Sequence, residues 1–290
     1  MMNKKFTVIG GDLRSVKLAN ALQAEGNRVY IYGFNKAGFK LGMEESKDLS
    51  VAIDNSDVII GPIPCSNDDE TINAPFHSEK ITINEVFKTM NKNQLFMAGR
   101  MSEKIVHLSQ IFNVYYLDLL EREEMSILNA IPTAEGAIQI AMEEMAVTLH
   151  NSNILILGFG RIGKILAKML DGIGANVYLE ARKYADIAWI KAYKYNPIFL
   201  NELPKFLPEM NVVFNTIPHM ILDMELLKKL NKECLLIDLA SKPGGVDFEK
   251  AKVMGIKTIW ALSLPGKVAP VTAASFIKDT IYNIIEELGV

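Results

Sequence analysis

Cysteine, tryptophan and histidine are all scarce: two, two and four among 290 residues. Cys65 and Cys234 lie far apart and form no ligand cluster, which excludes a disulfide framework and a cysteine metal site and fits a reducing cytosol. His77 and His107 lack ligand or triad spacing, so no metal is expected. An excess of one charge is also missing. Lys and Arg total 31 against 34 Asp and Glu, a net charge of −3. Nothing global would steer the chain to nucleic acid. No uninterrupted apolar stretch is long enough to span a bilayer, and the run Phe6–Ile9 is too short for a signal peptide. A cytoplasmic protein without membrane or nucleic-acid partners is expected. What the chain does have is core-forming material: 49% of its residues are hydrophobic, and its length suits about two domains.

The most informative stretch runs from Ile154 to Leu170. An apolar strand enters Gly158-Phe159-Gly160-Arg161-Ile162-Gly163, and Ile162, Ile165, Leu166 and Met169 then recur at helical spacing. In that context the glycines form a dinucleotide fingerprint. Gly158 permits the tight turn, Gly160 lets the backbone approach a pyrophosphate, and Gly163 lets the helix sit close to the strand. The helix N-terminus offers N–H groups to the phosphates. These six residues are the predicted heart of a cofactor site.

Before this point the chain alternates strand and helix patterns: Phe6–Gly10, a helix carrying Val16, Leu18, Ala19 and Leu22, then Arg28–Tyr32, Asp57–Gly61, Leu95–Ala98 and Val114–Leu117. That alternation implies a parallel sheet with crossovers. The first turn, Gly10-Gly11-Asp12, fails as a dinucleotide site, because Asp12 and Ser15 stand where further glycines belong and a carboxylate repels pyrophosphate. Residues 1–131 therefore read as a substrate domain, Rossmann-like with a degenerate glycine motif. Gly11, Asp12 and Arg14 are its candidate substrate contacts. Arg14 is a potential carboxylate clamp, and Asp12 doubles as a helix N-cap. Polar residues Asn67–Pro75 form a strand-end loop that can cover a site.

Thr133 is expected to cap a connecting helix over 133–150, with Glu135 in its first turn and Ile138, Ala141, Met142, Met145 and Leu149 on its buried face. Thr133 and Glu135 would then lie near a domain cleft. A second domain follows over 132–270. Its next strand ends in Glu180-Ala181-Arg182-Lys183, where a carboxylate suits the NAD ribose and cations suit the NADP phosphate. The register is open, but Arg182 can stack on adenine while pairing with phosphate, which favours NADP with NAD as the alternative. Further strand-end loops are Thr216-Ile217-Pro218, placed to pass beneath the nicotinamide ribose, and Leu239-Ala240-Ser241-Lys242, placed to meet cofactor or substrate. His219 is a candidate acid or base. Leu262–Val268 reads as a loop carrying Lys267. Pro270 suits the start of a last helix. Ile277, Ile281, Ile284, Ile285 and Leu288 give the segment 271–290 an apolar face to pack back on the first domain.

Taken together, Ile9–Asp12 with Arg14, Gly61–Pro64, Asn129-Ala-Ile-Pro-Thr-Ala-Glu-Gly136, the fingerprint, Ala181-Arg182, Asp238-Leu-Ala-Ser-Lys-Pro-Gly-Gly245 and Leu264-Pro-Gly-Lys267 resemble the dipicolinate synthase A-subunit family of spore-forming bacteria. The resemblance runs essentially end to end and departs from the family pattern at Glu180. It implies two Rossmann-like doubly wound domains and NADP-linked oxidation of dihydrodipicolinate to dipicolinate (pyridine-2,6-dicarboxylate) in the mother cell of a sporulating bacterium. It also implies a partner, the flavoprotein-like B subunit of the synthase, and an oligomer is expected. A substrate with two carboxylates needs cations, for which Arg14, Lys242 and Lys267 are candidates. The departing proton needs a base: Glu135 first, His219 second, or a water. One rival is a D-2-hydroxyacid dehydrogenase, against which stand Ser241-Lys242-Pro243 and the histidine-free Leu262–Val268. Another is a non-catalytic subunit that senses dinucleotide.

Overall fold

In a computed structural model that describes residues 4–38, 41–43 and 45–289, the chain forms two compact α/β units. One comprises residues 1–128 with 269–290, the other 129–268. The divisions fall after Leu128 and Val268, a few residues before the expected 131 and 270.

The first unit contains β1 (Lys5–Ile9), α1 (Leu13–Ala24), β2 (Arg28–Tyr32), α2 (Leu49–Asp54), β3 (Val58–Ile60), α3 (Ile83–Thr89), β4 (Leu95–Ala98), α4 (Glu103–Ile111) and β5 (Tyr115–Asp118). Its five strands are all parallel, in the order β2-β1-β3-β4-β5. The strands are apolar on both faces, as a sheet covered on both sides requires. Phe6, Val8, Val58, Ile60, Leu95 and Met97 join the core under α1. Ile9, Ile59, Phe96 and Ala98 join the opposite core, which includes residues of α2, α3 and α4. Thr7 interrupts the apolar pattern but is satisfied, its hydroxyl bonding Ala52 O and Ser56 Oγ, each at 2.6 Å.

A long helix, α5 (Glu123–Glu144), crosses the division between units. This corrects the expected helix over 133–150. Pro132 lies inside α5 rather than before it, and Thr133 does not cap: its hydroxyl donates to Asn129 O one turn back, at 2.8 Å. A proline in a helix interior costs about 3 kcal/mol. Here Met125 and Ala130 before it, and Ala134, Ala137, Ile138 and Ala141 after it, are buried and carry the helix through.

The second unit contains β6 (Asn153–Leu157), α6 (Arg161–Ile173), β7 (Asn176–Glu180), α7 (Tyr184–Ala192), β8 (Asn196–Ile198), α8 (Leu203–Phe206), β9 (Val212–Asn215), α9 (Met224–Leu227), β10 (Leu235–Asp238), α10 (Phe248–Val253), β11 (Thr258–Trp260) and α11 (Leu264–Val268). The six strands are parallel, in the order β11-β10-β9-β6-β7-β8. Ile154, Ile156, Val212, Phe214, Leu235 and Ile237 face the core shared with α5, α6 and α7. Leu155, Leu157, Val213 and Leu236 face the other side. Leu264–Val268, expected as a loop, is this short helix. Gly136 of α5 lies against it, since a Cβ there would come within 3.1 Å of Leu264 Cβ.

The chain closes with α12 (Pro270–Leu288), which starts with Pro270 in its first turn and ends at Gly289 in the left-handed region. Helix α12 belongs to the first unit and packs on α1. Ala274, Ile277, Ile281, Ile284 and Ile285 enter that core. Arg122 and Glu287 form a bidentate pair at 2.6 and 2.7 Å, and Glu25 pairs with Lys278 and Tyr282. Among the described residues no helix is long and apolar enough to cross a membrane.

Candidate dinucleotide site

In the second unit the chain reverses its direction of travel across the sheet between β6 and β9, the place where open α/β sheets bind ligands. The fingerprint leaves β6 there. Gly158 has φ +96°, and its turn lies under Thr216, whose hydroxyl donates to Leu157 O at 2.8 Å. Gly163 is pressed against the turn: a Cβ there would stand 2.1 Å from Gly158 O. Gly160 is the opposite case, because a Cβ there meets nothing within 4 Å. Its backbone faces open space at the start of α6, whose N-terminus no side chain caps. These are the properties of a pyrophosphate cradle, and the residues present fit a dinucleotide. Phe159 is buried, with Lys164 Nζ 5.2 Å from its ring centre, and Ile162 packs against the core. Arg161 opens α6 and is exposed.

The loops after β7, β9 and β10 end on the same edge. Glu180 is the last residue of β7. It is 1% exposed and pairs across the ladder with Leu157. Ala181 is buried, while Arg182 and Lys183 are exposed. Thr216 and Ile217 are half-buried, and Pro218 is exposed. Leu239 and Ala240 are buried, whereas Ser241 and Lys242 are exposed.

What holds these loops has no motif in the sequence. Asn215 Nδ2 donates to Asp238 Oδ1 at 2.8 Å, and Asp238 also accepts from the N–H groups of Ala240 and Gly245. Gly245 O receives the N–H groups of Ile221 and Leu222. Trp260 Nε1 donates to Ala240 O at 2.9 Å. The Pro243-Gly244-Gly245 run is the one local signal. A Cβ at Gly245 would stand 2.4 Å from Asn215 Nδ2, so the glycine is what lets the two loops interlock.

His219 is exposed on the loop after β9, and no side chain orients its ring among the described residues. Glu135 is exposed on α5 and Lys267 on α11, and the contact at Gly136 brings those two segments together. Burial pushes the thiols of Cys65 and Cys234 up to about 12, which leaves both inert at neutral pH.

The first unit has a glycine turn at the equivalent edge, but its own chain fills it. Gly11 N–H donates to Asn73 O at 2.8 Å, and a Cβ at Gly10 would stand 2.9 Å from Ala74 Cβ. Gly11 therefore has no N–H left for a substrate. Asp12 caps α1, accepting from Arg14 N–H at 2.9 Å. Arg14 is not a free carboxylate clamp. Its side chain is buried, its Nε and Nη2 bind the Asp12 carboxylate, and Nη2 also donates to Ile63 O. The carboxylate it meets is the chain's own.

Fold and edge geometry define a two-unit α/β protein with one nicotinamide dinucleotide domain. Comparisons with known proteins agree. Residues 5–120 match the N-terminal domain of the dipicolinate synthase A subunit, and residues 130–246 match the NAD-binding domain of D-isomer specific 2-hydroxyacid dehydrogenases. The A subunit of dipicolinate synthase from Bacillus subtilis is 31% identical over 98% of this chain and 96% of its own. Crystal structures of the dipicolinate synthase A subunits from Bacillus halodurans and Bacillus subtilis both superpose with a TM-score of 0.87 at 29% identity. The first covers 98% of each chain; the second covers 100% of this chain and 98% of its own. The chain belongs to the dipicolinate synthase A-subunit family.

Proposed function

We propose that the chain oxidises dihydrodipicolinate to dipicolinate with NADP as its cofactor. It would act as the A subunit of a dipicolinate synthase, partnered by the B subunit, in the cytoplasm of a sporulating mother cell. Family membership supports the reaction. The observation that carries the dehydrogenase role is the glycine edge, where Gly160 opens on empty space between a tight Gly158 turn and a close-packed Gly163. Arg182 and Lys183, both exposed after β7, supply the cations that a 2′-phosphate requires.

The bound nicotinamide would supply a hydride acceptor. Everything else falls to the chain's residues. Lys242 and Lys267 are exposed cations that can each meet a substrate carboxylate. The substrate ring loses a hydride with its electron pair and a proton from the neighbouring position, and becomes aromatic. Aromatisation supplies driving force, so orientation is the protein's main task. Glu135, exposed beside the Gly136 contact, is the proposed proton acceptor, ahead of His219.

The test is nicotinamide reduction by the purified chain, with dihydrodipicolinate generated in place, NADP⁺ and NAD⁺ in parallel, and the B subunit present or absent. Substrate-dependent reduction faster with NADP⁺ is the expected result. Silence in all arms while dinucleotide still binds would make the chain a non-catalytic dinucleotide sensor.

A further inference from the structure

Arg100 holds a backbone conformation that arginine rarely adopts. It is the second residue after β4 and has φ +58°. That left-handed region is sterically easy only for glycine. Asn113 and Lys194 share it, but each stands just past the end of a helix, where a left-handed residue is a common way to stop. Arg100 leaves a strand and has no such reason. What fixes its turn is Asp118, the buried last residue of β5. The Asp118 carboxylate accepts from the N–H groups of Arg100 at 2.9 Å, Met101 at 2.6 Å and Leu120 at 2.8 Å. All three bonds use backbone donors, so a glycine at position 100 would serve the turn better. The fold keeps an arginine where the backbone disfavours one, and strain of this kind gathers at functional sites.

The surroundings of the side chain indicate its task. Arg100 is exposed, and its guanidinium makes no hydrogen bond or ion pair among the described residues. It lies at the carboxyl-terminal edge of the first unit's parallel sheet, where open α/β sheets take their ligands. The adjoining turn follows β3. Gly99 N–H donates to Pro62 O at 3.1 Å, and Cys65 N–H donates to Gly99 O at 2.6 Å. In that same turn Ile63 O accepts from Arg14. Arg14 is the arginine whose place in the sequence reads as a carboxylate clamp, yet Asp12 already fills its fork. Arg100 stands beside it on the same edge with its fork empty.

We propose that Arg100 binds a carboxylate of the substrate at the edge of the first unit, the part for which Arg14 is spoken for. A guanidinium meets a carboxylate with two parallel N–H···O bonds, which fixes orientation as well as affinity. The substrate class, a ring dicarboxylate, rests on the proposed reaction.

Calorimetric titration of the purified full chain with dipicolinate, the proposed product, tests it. Arg100→Ala should weaken dipicolinate by about tenfold or more, the worth of a charge-assisted hydrogen bond. Arg100→Lys should recover only part of the loss, since an ammonium cannot form the bidentate pair. Arg100→Gly separates binding from folding. Freed of a Cβ at positive φ, it should melt about 2 °C or more above Arg100→Ala and yet bind dipicolinate no better. Dinucleotide affinity should stay at the wild-type level in all three variants. In turnover, KM for dihydrodipicolinate should rise by about tenfold in Arg100→Ala. An unchanged KM would overturn the proposal even where dipicolinate binds too weakly to titrate. Wild-type affinity for dipicolinate in Arg100→Gly, or equal losses of dipicolinate and dinucleotide, would overturn it while leaving the reaction in place. A wild-type chain without turnover whose dipicolinate binding still needs Arg100 would count against the reaction and support the assignment. A wild-type chain that neither turns over nor binds dipicolinate would overturn both.

Discussion

Asn215 and Asp238, the last residues of neighbouring strands, are both fully buried and joined by a 2.8 Å hydrogen bond from amide to carboxylate. The pair ties the loop that begins at Thr216 to the loop that begins at Leu239. Asp238→Ala would strand three donors: the Asn215 amide and the N–H groups of Ala240 and Gly245. The expected loss of stability is about 3 kcal/mol or more, because each abandoned buried donor keeps its desolvation cost. Asp238→Asn should recover only part of it, since an amide NH₂ must then face a donor. Urea unfolding measures this, and a titration of the folded fraction should show weaker dinucleotide binding. A midpoint equal to wild type would remove the pair from any supporting role.

The fingerprint glycines should separate binding from folding. Gly160 has φ −84°, so alanine fits its backbone, and its Cβ would touch no protein atom within 4 Å. Gly160→Ala should melt near the wild-type temperature and lose dinucleotide affinity by about tenfold or more as the methyl fills the cradle. In Gly163→Ala the Cβ would lie 2.1 Å from a backbone oxygen. That variant should lose about 1–3 kcal/mol of stability whether or not ligand is present. Thermal melts with and without NADP⁺ distinguish the two. Identical behaviour of both variants would mean that Gly160 does not face the ligand.

Much of this site was legible because its chemistry is local. A strand, three glycines and an amphipathic helix lie within seventeen consecutive positions, and the strand-end loops follow from apolar runs that stop at polar or glycine residues. What escaped depends on partners distant in the chain. Arg14 reads as a free clamp until Ile63, 49 residues away, and the side chain of Asp12 claim its guanidinium. Asn215 and Asp238 are 23 residues apart, and neither carries a motif of its own. Pro132 reads as a helix start because the rule is local, whereas the burial that draws α5 through it comes from tertiary packing. Register at the end of β7 was open in the sequence; the structure makes Glu180 the strand's last residue and buries it.

Trp260 offers a direct report on the loop after β10. Its indole N–H donates to Ala240 O, and its ring stacks on Phe248 with centroids 5.0 Å apart. The other tryptophan, Trp189, is 56% exposed on α7. Trp189→Phe therefore leaves one fluorophore, anchored to the loop that carries Leu239, Ala240 and Ser241. Its emission should change in a saturable way on titration with NADP⁺, and Trp260→Phe should abolish that response. A Trp189→Phe chain that binds dinucleotide with unaltered emission would place those three residues away from the ligand.

Glu180 should also leave a mark on stability without any ligand. Its pKa is raised in the folded state by burial, against an ordinary value of about 4.3 in the unfolded chain. Between those two values the native state holds more protons than the unfolded one, so stability falls as pH rises through that window. Below the unfolded value the carboxyl is neutral in both states and costs nothing; above the folded value the full penalty is present. Glu180→Gln removes the titration and keeps the shape. The variant should gain stability over wild type as pH rises from about 4.3, with the gap levelling off above the folded pKa. Urea unfolding of the two proteins across the pH range measures the gap directly. A gap that is flat, or that narrows with rising pH, would mean the carboxylate is better solvated than its burial indicates.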